Sequence, residues 1–282
     1  LVLNKYILSL FEVENLEELS ANLKNESDEA IDENGVSLFY HRLTSTLFGN
    51  KNLPKEQLLL YDNNIVRHTK ALNRDIRWKY FQYLTLLFTE IYLDMYFRSK
   101  EDLLKDLNEY LKNFNSELPK KEHIEPFKYE ELNKLAFWNA TGSGKTLLMH
   151  MNMLQFNHYS KDKLNINKTL LLTPNEGLSE QHLKEFEESN IEAEIFTKDS
   201  KGLFESNCIE IIEITKLKEE HGDKTVAVDS FEDNNLVFID EGHRGSSGDE
   251  WKKNRDKLSV NGFAFEYSAT FGQAINAGTG TK

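Results

Sequence analysis

The chain lacks several features that mark particular classes of protein. Among its 282 residues there is a single cysteine, Cys208, so an intrachain disulfide is excluded, as expected for a reducing cytoplasm. Basic residues are also scarce, with 34 Lys and Arg against 47 Asp and Glu, for a net charge of −13. A protein that is basic over its whole surface is excluded, and any nucleic-acid contact must come from a local patch.

Long apolar runs are missing as well. A membrane-spanning helix needs roughly 18 apolar residues with few charges, and the best candidate, Tyr83 to Phe97, carries Glu90 and Asp94. The N-terminus has no basic stretch followed by an apolar core, so no signal peptide is indicated. We therefore expect a cytoplasmic protein without membrane contact. The first residue is Leu rather than Met, and we expect the chain to be part of a longer polypeptide.

Residues 1–134 are predicted to form an acidic, α-helical N-terminal region. Apolar residues recur there at helical spacing, and the densest segment, Asp75 to Phe97, predicts one long helix. Gln82 lies in this helix, and its amide can both donate to and accept from an adenine edge. It is a candidate adenine-reading residue, although an ordinary polar residue on a crowded helix is an equal alternative. A charged segment follows, Lys100 to Glu131, with an amphipathic helix at Glu101 to Phe114.

Residues 135–282 have a different pattern, in which short apolar runs alternate with helical segments. This alternation predicts an α/β fold with a mostly parallel sheet. The predicted helices are Lys145–Phe156 and Leu178–Glu188, and the predicted strands are Leu135–Trp138, Thr169–Thr173, Ile191–Phe196, Ile209–Ile214, Leu236–Ile239 and Phe263–Tyr267. In such sheets ligands bind at the carboxyl ends of the strands.

The stretch Asn139 to Thr146 (Asn-Ala-Thr-Gly-Ser-Gly-Lys-Thr) lies between a predicted strand and a predicted helix. Strand, glycine-rich turn and helix is the arrangement of a phosphate-binding loop, whose backbone N–H groups and helix N-terminus hold a polyphosphate. The predicted ATP ligands are Thr141, Gly142, Ser143, Gly144, Lys145 and Thr146, with Lys145 reaching the β- and γ-phosphates. The Thr146 hydroxyl is the expected Mg²⁺ ligand of this loop.

Two acids, Asp240 and Glu241, follow directly on the apolar run Leu236–Ile239. In a chain that also has a phosphate-binding loop, two acids at the end of a strand are expected to serve in nucleotide hydrolysis. Asp240 is expected to hold Mg²⁺ beside Thr146, and Glu241 to orient or deprotonate the water that attacks the γ-phosphate.

Asp240-Glu241-Gly242-His243 resembles motif II of the superfamily-two, DEAD/DEAH-box helicases, and Asn139 to Thr146 resembles their motif I. Ser268-Ala269-Thr270 matches motif III, and Leu171 to Leu178 resembles motif Ia of restriction-type members. The residues that flank motifs II and III look like those of the helicase (Res) subunit of type III restriction enzymes and related phage-defence proteins.

This resemblance implies that residues 135–282 are a RecA-like first motor domain, with the motif III strand between those of motifs I and II. His243, Ser268 and Thr270 would couple the state of the γ-phosphate to the grip on nucleic acid. Thr173, Pro174 and the loop after them would touch the sugar-phosphate backbone. Gln82 would read adenine only if Lys100 to Glu131 looped out of the domain. A second motor domain with an arginine finger is also implied, and only twelve residues follow Thr270.

The expected function is ATP hydrolysis coupled to movement on double-stranded DNA, in restriction-modification or phage defence, with a modification methyltransferase as a candidate partner. Without the second domain we expect slow hydrolysis and no unwinding. No nuclease is supported, because Asp199-Ser200-Lys201 has no convincing partner acid. An RNA helicase of the same superfamily is an alternative, which a DNA–RNA competition assay would separate. A nucleotide-gated module whose acidic N-terminal region docks a protein partner is another.

Overall fold

The structure is a computed structural model that describes residues 1–25, 29–46, 49–140, 142–196, 208–218, 226–227, 231–240 and 256–269. It divides into two compact units. The helical unit contains Leu1–Leu132 and Met151–Tyr159, and the sheet unit contains Asn133–His150 and Ser160–Thr281.

The described part of the helical unit has six α-helices of its own: α1 (Val2–Leu10), α2 (Leu16–Ser20), α3 (Leu38–Thr46), α4 (Lys55–Ala71), α5 (Tyr80–Arg98) and α6 (Lys100–Ser116). Helix α5 begins at Tyr80, not at Asp75 as the sequence predicts. The Gln82 side chain accepts a hydrogen bond from the Lys79 backbone N–H at 2.9 Å, which satisfies a donor that would otherwise be left at the start of the helix.

Helix α6 is an integral part of the helical unit. Its buried residues Leu103, Leu107 and Leu111 recur every four positions and so form one apolar stripe. The helix contacts α1 and α5. The helical part of Lys100 to Glu131 therefore belongs to the helical unit, and the condition under which Gln82 would read adenine stays a prediction.

The sheet unit is built on six strands: β1 (Lys134–Trp138), β2 (Thr169–Thr173), β3 (Ala193–Ile195), β4 (Ile209–Glu213), β7 (Leu236–Asp240) and β8 (Phe263–Ser268). Two short strands, β5 (Leu217–Lys218) and β6 (Val226–Ala227), pair separately. The six strands are all parallel in the order β1-β8-β7-β2-β4-β3. This confirms the α/β fold and the position of the motif III strand, β8, between β1 and β7.

Among the residues that the structure describes, two α-helices connect these strands, α7 (Lys145–Ser160) and α8 (Glu176–Glu188). The central strands β2 and β7 consist almost entirely of buried residues, because a parallel sheet covered on both faces leaves no solvent face. No helix within the described ranges is both long and apolar enough to cross a membrane.

Helix α7 contributes to both units, which the division at residue 135 does not anticipate. Its segment Met151–Tyr159 belongs to the helical unit. There the Gln155 amide and the Tyr159 hydroxyl donate hydrogen bonds of 2.8 and 2.6 Å to the two carboxylate oxygens of Glu90. The polar side chains of this segment, which the sequence assigns to the second domain, thus complete a buried network around α5.

Candidate nucleotide-binding site

The turn between β1 and α7 has the backbone of a phosphate-binding loop. Gly142 and Gly144 adopt φ angles of 77° and 83°, a left-handed conformation that favours glycine. The Ser143 N–H donates to the Ala140 carbonyl at 3.1 Å and closes the turn. The predicted ligand Thr141 lies outside the described residues.

Lys145 and Thr146 occupy the first turn of α7. Gly144 is the N-cap residue, and it offers no side chain to the first backbone N–H groups of the helix. No acidic residue lies in this turn, so the partial positive charge of the helix N-terminus is not offset there. This end of a 16-residue helix is suited to an anion such as a phosphate.

The carboxyl ends of β1, β8 and β7 lie side by side at one edge of the sheet. Trp138 pairs with Ser268, and Tyr267 pairs with Asp240. The start of the phosphate loop is tied to this row, because the Asn139 N–H donates to the Ser268 carbonyl at 3.2 Å. Since neighbouring strands are about 4.8 Å apart, Asp240 lies roughly 10 Å across the edge from the end of β1.

Asp240 is largely buried and is held by a histidine on α8. His182 Nε2 lies 2.9 Å from Asp240 Oδ2, and the two side chains are 4% and 10% exposed. A carboxylate oxygen only accepts hydrogen bonds, so Nε2 is the donor. Burial raises the pKa of the neighbouring Tyr267 hydroxyl well above its ordinary value, and the charge of Asp240 raises it further.

The connection from β2 to α8 is fixed by two polar contacts. The Thr173 and Ser179 hydroxyls are 2.6 Å apart and buried, and Asn175 Oδ1 accepts a hydrogen bond from the Leu178 N–H at 3.0 Å. Thr173 therefore turns its side chain into the protein. Pro174 is half-buried, whereas Asn175 and the first two residues of α8, Glu176 and Gly177, are exposed. The backbone contact expected of Thr173 and Pro174 stays a prediction.

The profile of a protein family described as "Type III restriction enzyme, res subunit" matches residues 98–273, more than half of the chain. The chain belongs to this family. It is also similar to the crystal structure of the UvsW helicase from bacteriophage T4, with 15% identity over 62% of this chain and 68% of that chain, at a TM-score of 0.37. No curated protein matches it. The family match confirms the resemblance to the superfamily-two helicases.

The structure places part of the predicted site of this res-family chain together. Gly142, Ser143, Gly144, Lys145 and Thr146 form one loop and helix start, and Ser268 and Asp240 lie along the same sheet edge. Glu241, His243 and Thr270 lie outside the described residues. Gln82 is in the helical unit, where its side-chain oxygen caps α5, and its role in reading adenine stays a prediction.

The oxygen donors of Thr146 and Asp240 are of the kind that Mg²⁺ prefers. This ion is usually bound by one or two protein oxygens together with substrate phosphates, so a small donor set suffices. One carboxylate oxygen of Asp240 is engaged by His182, which leaves Oδ1 for a metal or its water. The residues present therefore fit Mg²⁺.

The sequence alone does not identify His182 as part of the site. Its contact with Asp240 joins residues 58 positions apart, and no local pattern carries that information. The one available signal was the spacing of Ser179, His182 and Phe186, which places all three on one face of α8. All three are buried, so this face belongs to the interior of the sheet unit.

Proposed function

We propose that this chain is the first motor domain of a superfamily-two translocase that binds Mg²⁺·ATP and couples its hydrolysis to movement on double-stranded DNA. The observation that carries the proposal is the common sheet edge of the phosphate loop and Asp240. A phosphate loop binds nucleotides of many kinds. An acid two strands away at the same edge supplies the metal ligand that hydrolysis needs.

The proposed roles follow from the chemistry of each side chain. The Lys145 ammonium is the charge partner of the β- and γ-phosphates, while the backbone N–H groups of Gly142 to Gly144 cradle them. Thr146 and Asp240 hold Mg²⁺, which neutralises the charge that develops on the phosphoryl group. Glu241 orients the attacking water, and Ser268 lies between the two halves of the site as a residue that senses the γ-phosphate.

DNA is favoured over RNA as the track because the family is one of restriction enzymes. The net charge of −13 makes a broad electrostatic contact with DNA unfavourable, so the proposed contact is local, at Asn175 and the N-terminus of α8, whose backbone N–H groups can meet a phosphate. The same charge suits the helical unit to a protein partner, and we propose a modification methyltransferase subunit for that role. A second motor domain is required for full activity.

Lys145→Ala tests the nucleotide site. Calorimetry with a non-hydrolysable ATP analogue and Mg²⁺ is expected to show affinity reduced on the order of 100-fold or more, because charge-assisted hydrogen bonds to phosphate are lost. The matched control is Lys161→Ala, which removes an exposed lysine just past the other end of the same helix. Unchanged affinity in Lys145→Ala would refute the site assignment, and an equal loss in both variants would show a general charge effect instead.

A further inference from the structure

We propose that His182 is a positioning residue that fixes the Asp240 carboxylate for Mg²⁺·ATP. This proposal rests on the proposed nucleotide site, and it adds helix α8 to the elements that build that site. His182 is not itself a ligand of the metal or the nucleotide. It acts on the site through Asp240 alone.

The geometry of the pair defines the effect. The hydrogen bond from His182 Nε2 reaches Oδ2 of Asp240 at 2.9 Å. It fixes the rotation of the carboxylate and leaves Oδ1 as the oxygen that a metal or its water would contact. Hydrogen-bonded partners of this kind orient ligating carboxylates in metal sites, and their removal weakens metal binding.

Asp240 is the partner of one ring nitrogen of this histidine, and the other nitrogen is left unsatisfied within the described residues. His182 Nδ1 is buried, and within the described part of the chain it has no hydrogen-bond partner. A buried polar atom without a partner is unfavourable by about 1–3 kcal/mol. An apolar side chain of similar size would avoid this penalty but would leave Asp240 Oδ2 without its donor, so what the imidazole provides here is its contact with Asp240.

Helix α8 is held firmly enough to position a side chain. Near its N-terminus, Ser179 is hydrogen-bonded to Thr173 at the end of β2. Past its C-terminus, the Ser189 hydroxyl lies 2.9 Å from His150 Nδ1, and the His150 and Phe186 rings stack with centroids 4.4 Å apart. Because His182 lies between these two anchors, its ring is fixed on both sides along the helix.

The test separates metal-dependent from metal-independent binding. His182→Leu removes the donor, whereas His182→Gln places an amide N–H near the former position of Nε2. For each protein the affinity for a non-hydrolysable ATP analogue is measured twice, with Mg²⁺ and with EDTA. We expect His182→Leu to weaken binding with Mg²⁺ about tenfold, to leave binding in EDTA unchanged, and to be rescued largely by His182→Gln.

The control variant is His68→Leu, which removes a buried histidine of the helical unit and is expected to change neither affinity. If wild-type protein binds the analogue no better with Mg²⁺ than with EDTA, the proposed nucleotide site itself fails. If wild type shows the Mg²⁺ gain and His182→Leu shows the same gain, the positioning role is overturned. Equal loss under both conditions in a folded His182→Leu protein would also overturn it, since that result indicates a purely structural residue.

Discussion

The two units bury charged side chains in different ways. In the helical unit, Asp62 and Glu90 are fully buried, and each carboxylate is surrounded by neutral donors. Asp62 accepts hydrogen bonds from the Ser37 backbone and hydroxyl and from the Tyr83 hydroxyl. In the sheet unit, buried carboxylates pair instead with a single basic group, Asp240 with His182 and Glu210 with Lys168.

The two units differ in how many of their described buried polar atoms are left without a hydrogen-bond partner. Both oxygens of Asp62 and of Glu90 are hydrogen-bonded, whereas within the described ranges Glu210 Oε2 and His182 Nδ1 are buried without a partner. Closed networks fix a core and leave nothing for a ligand. An incompletely satisfied pair indicates a ligand site only where it lies at the carboxyl ends of the strands. Asp240 ends β7 at that edge of the sheet, whereas Glu210 lies near the amino end of β4.

Asp62→Ala should be the most damaging change to a closed network. It leaves three donors, from Ser37 and Tyr83, buried without an acceptor, and the free energy of unfolding is expected to fall by about 4 kcal/mol. Urea unfolding gives the size of the loss. Hydrogen exchange should show faster opening in the helical unit than in the sheet unit.

Asp62→Asn is the matched control for that variant. The asparagine keeps one acceptor oxygen but replaces the other with an N–H₂ group that faces donors, so an intermediate loss is expected. If Asp62→Ala were as stable as wild type, the network would contribute nothing, and the contrast between the two units would have no energetic basis.

Glu90→Gln tests the same network through pH. Burial raises the pKa of Glu90 to about 7, even though hydrogen bonds from Tyr159, Gln155 and Asn64 lower it. The native state therefore binds a proton more tightly than the unfolded state. The contribution of Glu90 to the free energy of unfolding is fully present below pH about 4.5 and is lost as pH rises through 7, a change on the order of 3 kcal/mol.

The melting temperature of Glu90→Gln relative to wild type is therefore expected to rise between pH 5 and pH 8. Burial also lowers the pKa of His68 to about 4, so its contribution is lost as pH falls, but both proteins carry His68 and the comparison removes it. Glu109→Gln, at an exposed position on α6, is the control and should show a flat difference. A flat difference in Glu90→Gln as well would contradict the buried, proton-binding environment.

The sheet unit was predicted from sequence more closely than the helical unit. The bounds of β2, Thr169–Thr173, agree with the prediction, and all six predicted strands occur within about two residues. Buried parallel strands are short apolar runs separated by polar turns, so the residues at each end of a strand are enough to predict its limits. The phosphate loop is equally local, because a few consecutive residues set its backbone.

What the sequence did not reveal depends on contacts between distant residues. The segment Met151–Tyr159 belongs to the helical unit, where it is hydrogen-bonded to Glu90, more than sixty positions earlier in the chain. The role of Gln82 as a helix cap and of His182 as the partner of Asp240 likewise appears only when the chain is folded. Side-chain hydrogen bonds of this kind leave no periodicity behind.

Gly262→Ala probes the tight backbone approach that sets β8 beside β7 in the sheet unit. A Cβ atom at this position would lie 2.0 Å from the Asn235 carbonyl oxygen, so the strands must shift. We expect a loss of about 2 kcal/mol in urea unfolding, with faster hydrogen exchange in the sheet unit, the reverse of the pattern for Asp62→Ala.

Gly177→Ala is the matched control: its Cβ would meet only Asn175 Oδ1 at 3.5 Å, and the helix gains up to about 1 kcal/mol. Equally faster hydrogen exchange in both units would mean that they unfold together. The buried charges of both units would then contribute to a single free energy of unfolding.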